Sequence, residues 1–288
     1  MDIEKRKEYI GGSDCAGVLG LSRWTTPLKI WAVKTGQIVP EDISQKIAVK
    51  LGNKLEQTVC ELFTEQTGLK VRRVNETLFH KDYNFIGANI DRKIEGQDVI
   101  LEAKTCSVFK AKEWGEDEIP AEYLLQCYHY LAVTGYKKCW IAVLIGNQDF
   151  KFKEVLYDKK VIDDIIRKEV FFWREFVETK TMPTTILSQD SDILNSLFPN
   201  IVKSDPVALG DEVDSKIESL QGLQEDFNSL KGTIEKSKNE IKAMLKENES
   251  GITPHYKVVW QKIHKDPYEV KEQNYRQLKI YGLKEKGE

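Results

Sequence analysis

Long apolar runs are missing from the sequence. None approaches the roughly 20 residues that a membrane-spanning helix needs, and the opening stretch MDIEKRKEY is polar, without the hydrophobic region of a secretory signal. A soluble, cytoplasmic protein with no membrane association is the expectation. Cysteine is sparse as well: Cys15, Cys60, Cys106, Cys127 and Cys139 include no CxxC pair, which argues against a disulfide framework or a zinc site and for a reducing compartment. Nor is there an excess of positive charge. With 43 Lys and Arg against 46 Asp and Glu the formal net charge is −3, which excludes a strongly basic protein but not a local positive groove around a carboxylate centre. The 288 residues, 41% of them hydrophobic, suffice for one full-size domain and an appendage.

The rest of the chain is organised around Asp91 to Lys104, DRKIEGQDVILEAK. Residues 85–94 and 98–105 are apolar-rich runs separated by Glu95-Gly96-Gln97, the pattern of a β-hairpin with a short turn. In the second run, alternation puts Val99, Leu101 and Ala103 on one face and Glu102 and Lys104 on the other. The hairpin can bring Asp91 near Glu102. Two converging carboxylates repel unless a proton or cation intervenes, and Mg²⁺ takes oxygen ligands of this kind. An ammonium at Lys104 can orient or deprotonate a water, or neutralise charge developing on a phosphoryl oxygen. This is the chemistry of metal-dependent phosphodiester hydrolysis; a solvated edge hairpin is the bland alternative.

Ahead of the hairpin, Gly11-Gly12 precede an apolar-periodic stretch for which Ser13 or Asp14 can serve as helix cap, with Arg6 able to reach an anion there. An ordinary cap is the other reading. A second short helix over Leu28, Ile30, Trp31 and Val33 ends at Gly36, and residues 37–43 read as loop. From Gln45 to Gln66, apolar residues recur at helical spacing through Ile47, Leu51, Leu55, Val59, Leu62 and Phe63, with Glu56 beside the stripe and Gly52 allowing another surface to approach. Residues 69–79 read as one strand with basic residues at its start.

After the hairpin, 106–118 carries Phe109 and Trp114 among lysines and acids, suited either to lie on nucleic acid or to tuck its aromatics inward. Pro120 opens a helix that runs to Gly135, with Gln126 and Tyr130 four apart on one face. Cys139–Ile145 is the best candidate for a central strand, 150–156 is its neighbour, and 158–178 is a helix. His80 and His129 lack acidic partners at ligand spacing and are read as structural. Residues 183–208 read as a linker, 209–250 as a long helix with coiled-coil character in an antiparallel or short intermolecular pairing, and 251–288 as a segment in which 256–260 pairs with 276–280 in a hairpin.

Asp91 with Glu102-Ala103-Lys104 resembles the PD-(D/E)XK nuclease pattern, lacking the Pro before the Asp, and Gln126 followed by Tyr130 resembles the extra motif of its RecB-type branch. Together with Arg6, Gly11-Gly12-Ser13-Asp14 and Leu51-Gly52-Asn53-Lys54-Leu55-Glu56, the set resembles the YqaJ-like viral recombinase family, phage exonucleases similar to lambda exonuclease, over roughly residues 5–180. The resemblance implies an α/β restriction-endonuclease-like core over 1–182, a mixed sheet flanked by helices. It further implies a processive Mg²⁺-dependent 5′-to-3′ exonuclease, with Mn²⁺ as a substitute, that leaves a 3′ overhang on linear duplex DNA for a single-strand annealing protein. Asp91, Glu102 and the Ala103 carbonyl match its metal ligands, Lys104 the catalytic lysine, Glu56 the helix carboxylate and Gln126 the conserved glutamine, with Tyr130 accessory. Arg6 and Ser13 fall where members grip a terminal 5′-phosphate. The family can form ring-shaped trimers, and a phage or prophage protein in a bacterial cytoplasm follows. A structure-selective or nicking endonuclease, or an inactive DNA-binding or assembly protein, remains as the alternative.

Overall fold

The computed structural model describes residues 5–116, 118–201 and 205–265. Two compact units divide the chain, one to Pro199 and the other from Asn200. The first is an α/β unit. Its sheet has strand order β1 (Val71–Arg73), β4 (Arg92–Ile94), β5 (Val99–Cys106), β6 (Lys138–Ile145) and β7 (Asp149–Leu156). Strands β5 and β6 run parallel, with Glu102 opposite Ile141, and the other pairs are antiparallel. A parallel pair requires a crossover, and the helix α4 (Ala121–Thr134) supplies it between them.

The alternation in β5 sorts the core. Val99, Leu101 and Ala103 face the helix α3 (Ile47–Thr67), against Val59, Cys60 and Phe63. Ile100 faces the larger cluster on the opposite side, with Cys127, Tyr130 and Leu131 of α4. Also on that side are α1 (Gly12–Val18), α2 (Pro27–Lys34) and α5 (Lys159–Phe172), the last continued by a π-helical turn from Trp173 to Glu178. The hairpin turns at Gly96, whose φ of +71° suits glycine.

Several local expectations give way. The run 69–79 divides into β1 and β2 (Leu78–Phe79), and the latter pairs with β3 (Gly87–Ala88) in a small separate sheet. Of the α3 stripe, only the C-terminal half is covered. Ile47 and Leu51 lie exposed, whereas Val59, Cys60 and Phe63 are buried against the sheet. Gly52 is not there for crowding: a Cβ would meet only Thr105 Oγ1, at 3.8 Å. Within 183–208, expected as linker, residues 188–190 form a turn and α6 (Ser191–Leu197) follows. Asp190 is fully buried there and accepts from Thr26 Oγ1 at 2.5 Å. In the second unit, α7 (Asp211–Leu245) is one helix, and β8 (Ser250–Ile252) pairs with β9 (Lys257–Val259). Residues 257–259 thus find their partner upstream; the expected partner at 276–280 lies outside the described residues. Among the described residues, no helix is long and apolar enough to cross a membrane.

Candidate active site

Asp91 sits at the bend that leads into β4, where the pairing of Arg92 with Leu101 carries it past Glu102. Its Oδ2 accepts from the Ala103 N–H at 2.9 Å. Glu102, read from sequence as part of the polar face of a strand, is 1% exposed. Its face of β5 is roofed by α4, and Gln126 Nε2 donates to Glu102 Oε1 at 2.8 Å. Lys104 Nζ reaches the same oxygen at 2.5 Å and lies 5.1 Å from the centre of the Tyr123 ring. Glu102 Oε2 is buried with no hydrogen-bond partner. A buried carboxylate oxygen left unpaired beside a second carboxylate is an acceptor that a hard cation would satisfy.

The electrostatics agree with that geometry. Burial, and then the charge of Asp91, push the Glu102 carboxyl up to about 8. Burial likewise raises Asp91 above the ordinary carboxylate range, against the pull of Lys104. For Lys104, burial alone would favour the neutral amine, but Glu102 and Asp91 outweigh it and hold the ammonium protonated. Without a metal, the three groups therefore share too many protons for two free carboxylates.

Gln126 and Tyr130 are buried together. Gln126 Nε2 also donates to the Tyr130 hydroxyl at 2.7 Å, and that hydroxyl donates to the Asn89 carbonyl at 3.0 Å. The pair therefore braces Glu102 against the backbone two residues before Asp91. Glu56 stands on α3 with its Oε1 held by two arginines, Arg92 at 2.5 Å and Arg73 at 3.3 Å. Arg92 is 3% exposed and also donates to the Asp91 carbonyl. Glu56 and Asp91 line one cavity of about 440 Å³ together with Lys5, Arg73 and Arg92. Arg73 was marked in the sequence only as a basic residue at the start of a strand, and Arg92 was not singled out. An Arg immediately after the Asp was the available signal for Arg92.

The N-terminal residues come together through a residue the sequence did not mark. Arg6 lies exposed in a 3₁₀ turn, and Ser13 is exposed in the first turn of α1, whose cap is Gly11 in place of Ser13 or Asp14. Asp14 folds its carboxylate back to the Gly11 N–H at 3.1 Å. Lys34 Nζ ties both segments: it donates to the Arg6 and Tyr9 carbonyls at 2.6 Å each and to Asp14 Oδ2 at 2.7 Å. Gly12 is pressed onto α4, where a Cβ would stand 2.4 Å from Tyr130 Cε1 and 3.1 Å from Gln126 Cγ. Close approach of α1 to the Gln126–Tyr130 face requires glycine here.

Of the two aromatics in 106–118, Trp114 tucks inward at 1% exposure, while Phe109 is 94% exposed. His129 does have an acidic partner, contrary to the reading from spacing, because Glu169 arrives from α5. Its Nδ1 lies 2.8 Å from Glu169 Oε1, and its Nε2 donates to the Gly87 carbonyl at 2.9 Å. Burial opposes charge on the ring, and Glu169 outweighs it and raises the pKa. With Cys15, these residues bring ligand atoms within 4.8 Å of one another, a fully buried group that could also hold a divalent cation.

A mixed sheet with an Asp leading into one strand, Glu-X-Lys on the next and a Gln from the crossover helix is the architecture of the PD-(D/E)XK class. A crystal structure of an alkaline exonuclease (LHK-Exo) from Laribacter hongkongensis shares the fold, with a TM-score of 0.52 at 17% identity over 62% of this chain and 92% of that one. Its complex with dAMP superposes with a TM-score of 0.51 over the same shares. Within that class, the chain belongs to the YqaJ family. Residues 3–137 match the YqaJ-like viral recombinase domain, and the uncharacterized protein YqaJ of Bacillus subtilis (strain 168) is 38% identical over 91% of this chain and 82% of its own length.

Proposed function

We propose that this protein is a Mg²⁺-dependent exonuclease that degrades one strand of linear double-stranded DNA in the 5′-to-3′ direction. The 3′ overhang it leaves serves a single-strand annealing protein in recombination. The observation that carries the reading is the unpaired, buried Glu102 Oε2 beside Asp91 and Lys104. Membership of the YqaJ family, whose matching domain is described as a viral recombinase, and the likeness in fold to an alkaline exonuclease support it.

The residues divide the work by position. Asp91, Glu102 and the Ala103 carbonyl would hold Mg²⁺, or Mn²⁺ in its stead, with Glu56 contributing from α3. When bound, the metal supplies Lewis-acid stabilisation of the scissile phosphate and of the leaving 3′ oxygen. Lys104, held protonated by its two carboxylates, orients the attacking water and neutralises charge on the phosphoryl oxygens. Gln126, braced by Tyr130, fixes the Glu102 carboxylate through Oε1 and leaves Oε2 as the oxygen that would bind a cation. Arg6 and Ser13 receive the terminal 5′-phosphate, with Lys34 holding their two segments together.

The nuclease core lies in the first compact unit, which runs to Pro199, and the helix Asp211–Leu245 belongs to the second. The protein acts in the cytoplasm of a bacterial host, as a homo-oligomer.

The deciding experiment incubates the protein with Mg²⁺ and three duplexes: linear with 5′-phosphate, linear with 5′-hydroxyl, and covalently closed circular. Progressive loss from phosphorylated ends with the circle spared is expected. Cutting of the circle would reassign the site to an endonuclease, and no cleavage with Mg²⁺ or Mn²⁺ would leave a DNA-binding or assembly role.

A further inference from the structure

Helix α7 is 35 residues long, about 52 Å at 1.5 Å per residue. One stripe along it is apolar and exposed. Leu220, Leu223, Phe227, Leu230, Ile234, Ile241 and Met244 lie at alternating spacings of three and four, interrupted only at Ser237, and are 44–80% exposed. Set as heptads, Val213, Leu220, Phe227, Ile234 and Ile241 take position a, and Leu223, Leu230, Ser237 and Met244 take position d after Lys216. Gly222 and Gly232 fall at c and f, on the far side, so they leave the seam intact; a Cβ at either would meet nothing within 4 Å. A period of 3.5 sustained this long is what a coiled-coil partner reads.

We propose that this face is an interface between copies of the chain, in which α7 pairs in parallel and in register with α7 of a second copy. Flanking charges select the partner and its direction. In a parallel pair each g position faces the e position five residues on in the other helix. Asp226 then meets Lys231, Thr233 meets Lys238, Ser219 meets Gln224 and Glu240 meets Leu245, so one opposite-charge pair forms and no like charges oppose. In an antiparallel pair, e flanks e and g flanks g, which gathers Lys231 with Lys238 and Asp226 with Glu240. β-branched Ile234 and Ile241 at a, with Leu223, Leu230 and Met244 at d, are the combination that suits two strands. Of the two pairings open from the sequence, antiparallel or intermolecular, this takes the intermolecular one, and it is independent of the nuclease reading.

The test uses the full chain with Cys106, the one cysteine not buried, changed to Ser. Leu220→Cys and Ile241→Cys, introduced separately at opposite ends of the seam, are each expected to give a covalent dimer on mild oxidation. An antiparallel pair can bring at most one of these positions opposite itself, so linkage by one alone overturns the parallel register. Linkage by neither, or a monomeric mass for the unmodified chain at tens of micromolar in analytical ultracentrifugation, overturns self-pairing. Monomer would mean that a segment of the same chain or a different protein covers the seam. Adding Phe227→Glu and Ile234→Glu to each cysteine variant is expected to abolish the crosslink at both positions while α-helical circular dichroism shows the rest of the chain folded; persistence of the crosslink would overturn the seam.

Discussion

Glu102 is a carboxyl group with one oxygen saturated by Lys104 and Gln126 and the other facing buried, unpaired space. Its pKa near 8 in the folded chain, against an ordinary value of 4.5, has a definite sign of linkage. Between those two values the folded state binds more protons than the unfolded one, so stability without metal falls as pH rises through the window. A cation replaces that proton. Thermal melts are therefore expected to show a larger Mg²⁺-induced rise in Tm at pH 8 than at pH 6, and equal rises at the two pH values would remove Glu102 from the metal site. Lys104 makes a different prediction. Lys104→Ala leaves the carboxylates but removes the ammonium, so cleavage should fall by at least about 100-fold while DNA binding in a mobility-shift assay persists. Preserved cleavage would overturn its role.

At the scale of elements, the site depends on how closely α1 lies on α4. Gly12→Ala pushes a methyl group into Tyr130 and Gln126, an overpacking that should cost about 1–3 kcal/mol in chemical denaturation. It should also reduce cleavage by displacing Gln126 from Glu102. Gly222→Ala is the control: it sits in a helix with open space around it, and should stabilise slightly by helix propensity. If the two substitutions behave alike, the packing argument fails. The segment that Lys34 ties to α1 carries the proposed end sensor. Arg6→Ala should slow attack on 5′-phosphorylated ends while sparing 5′-hydroxyl ends, and equal loss on both would dissociate Arg6 from the phosphate.

For the whole molecule, the division after Pro199 separates the unit holding every proposed catalytic residue from the one holding the exposed heptad seam. The first unit has two hydrophobic clusters of its own, one on each face of its sheet. A chain ending at Pro199 is expected to melt cooperatively and to retain metal-dependent cleavage. Failure to fold would show that the second unit is needed for stability as well as for assembly. Asp190, buried on Thr26, marks how far toward the C terminus the first unit must extend, and a cut at 182 is expected to be less stable for that reason.

Alternation and period were legible in the sequence because they are properties of single elements. The β4–β5 hairpin, the α4 crossover, the apolar β6 and the length of α7 all follow from patterns of two or 3.6 residues with glycine or proline at the ends. The order of Asp91, Glu102, Lys104 and Gln126 was enough to recognise the family.

What spacing cannot carry is contact between distant segments. Glu169 meets His129 across 40 residues, Arg92 meets Glu56 across 36, and Lys34 reaches back to Arg6 across 28. Each of these joins elements that only the tertiary fold makes neighbours. The same holds for exposure: the strand face of Glu102 reads as wet and is buried because α4 covers it, while Ile47 and Leu51 read as core and are exposed. Chain-local chemistry set which residues could act, and burial, decided by packing, set the charge state in which they do so.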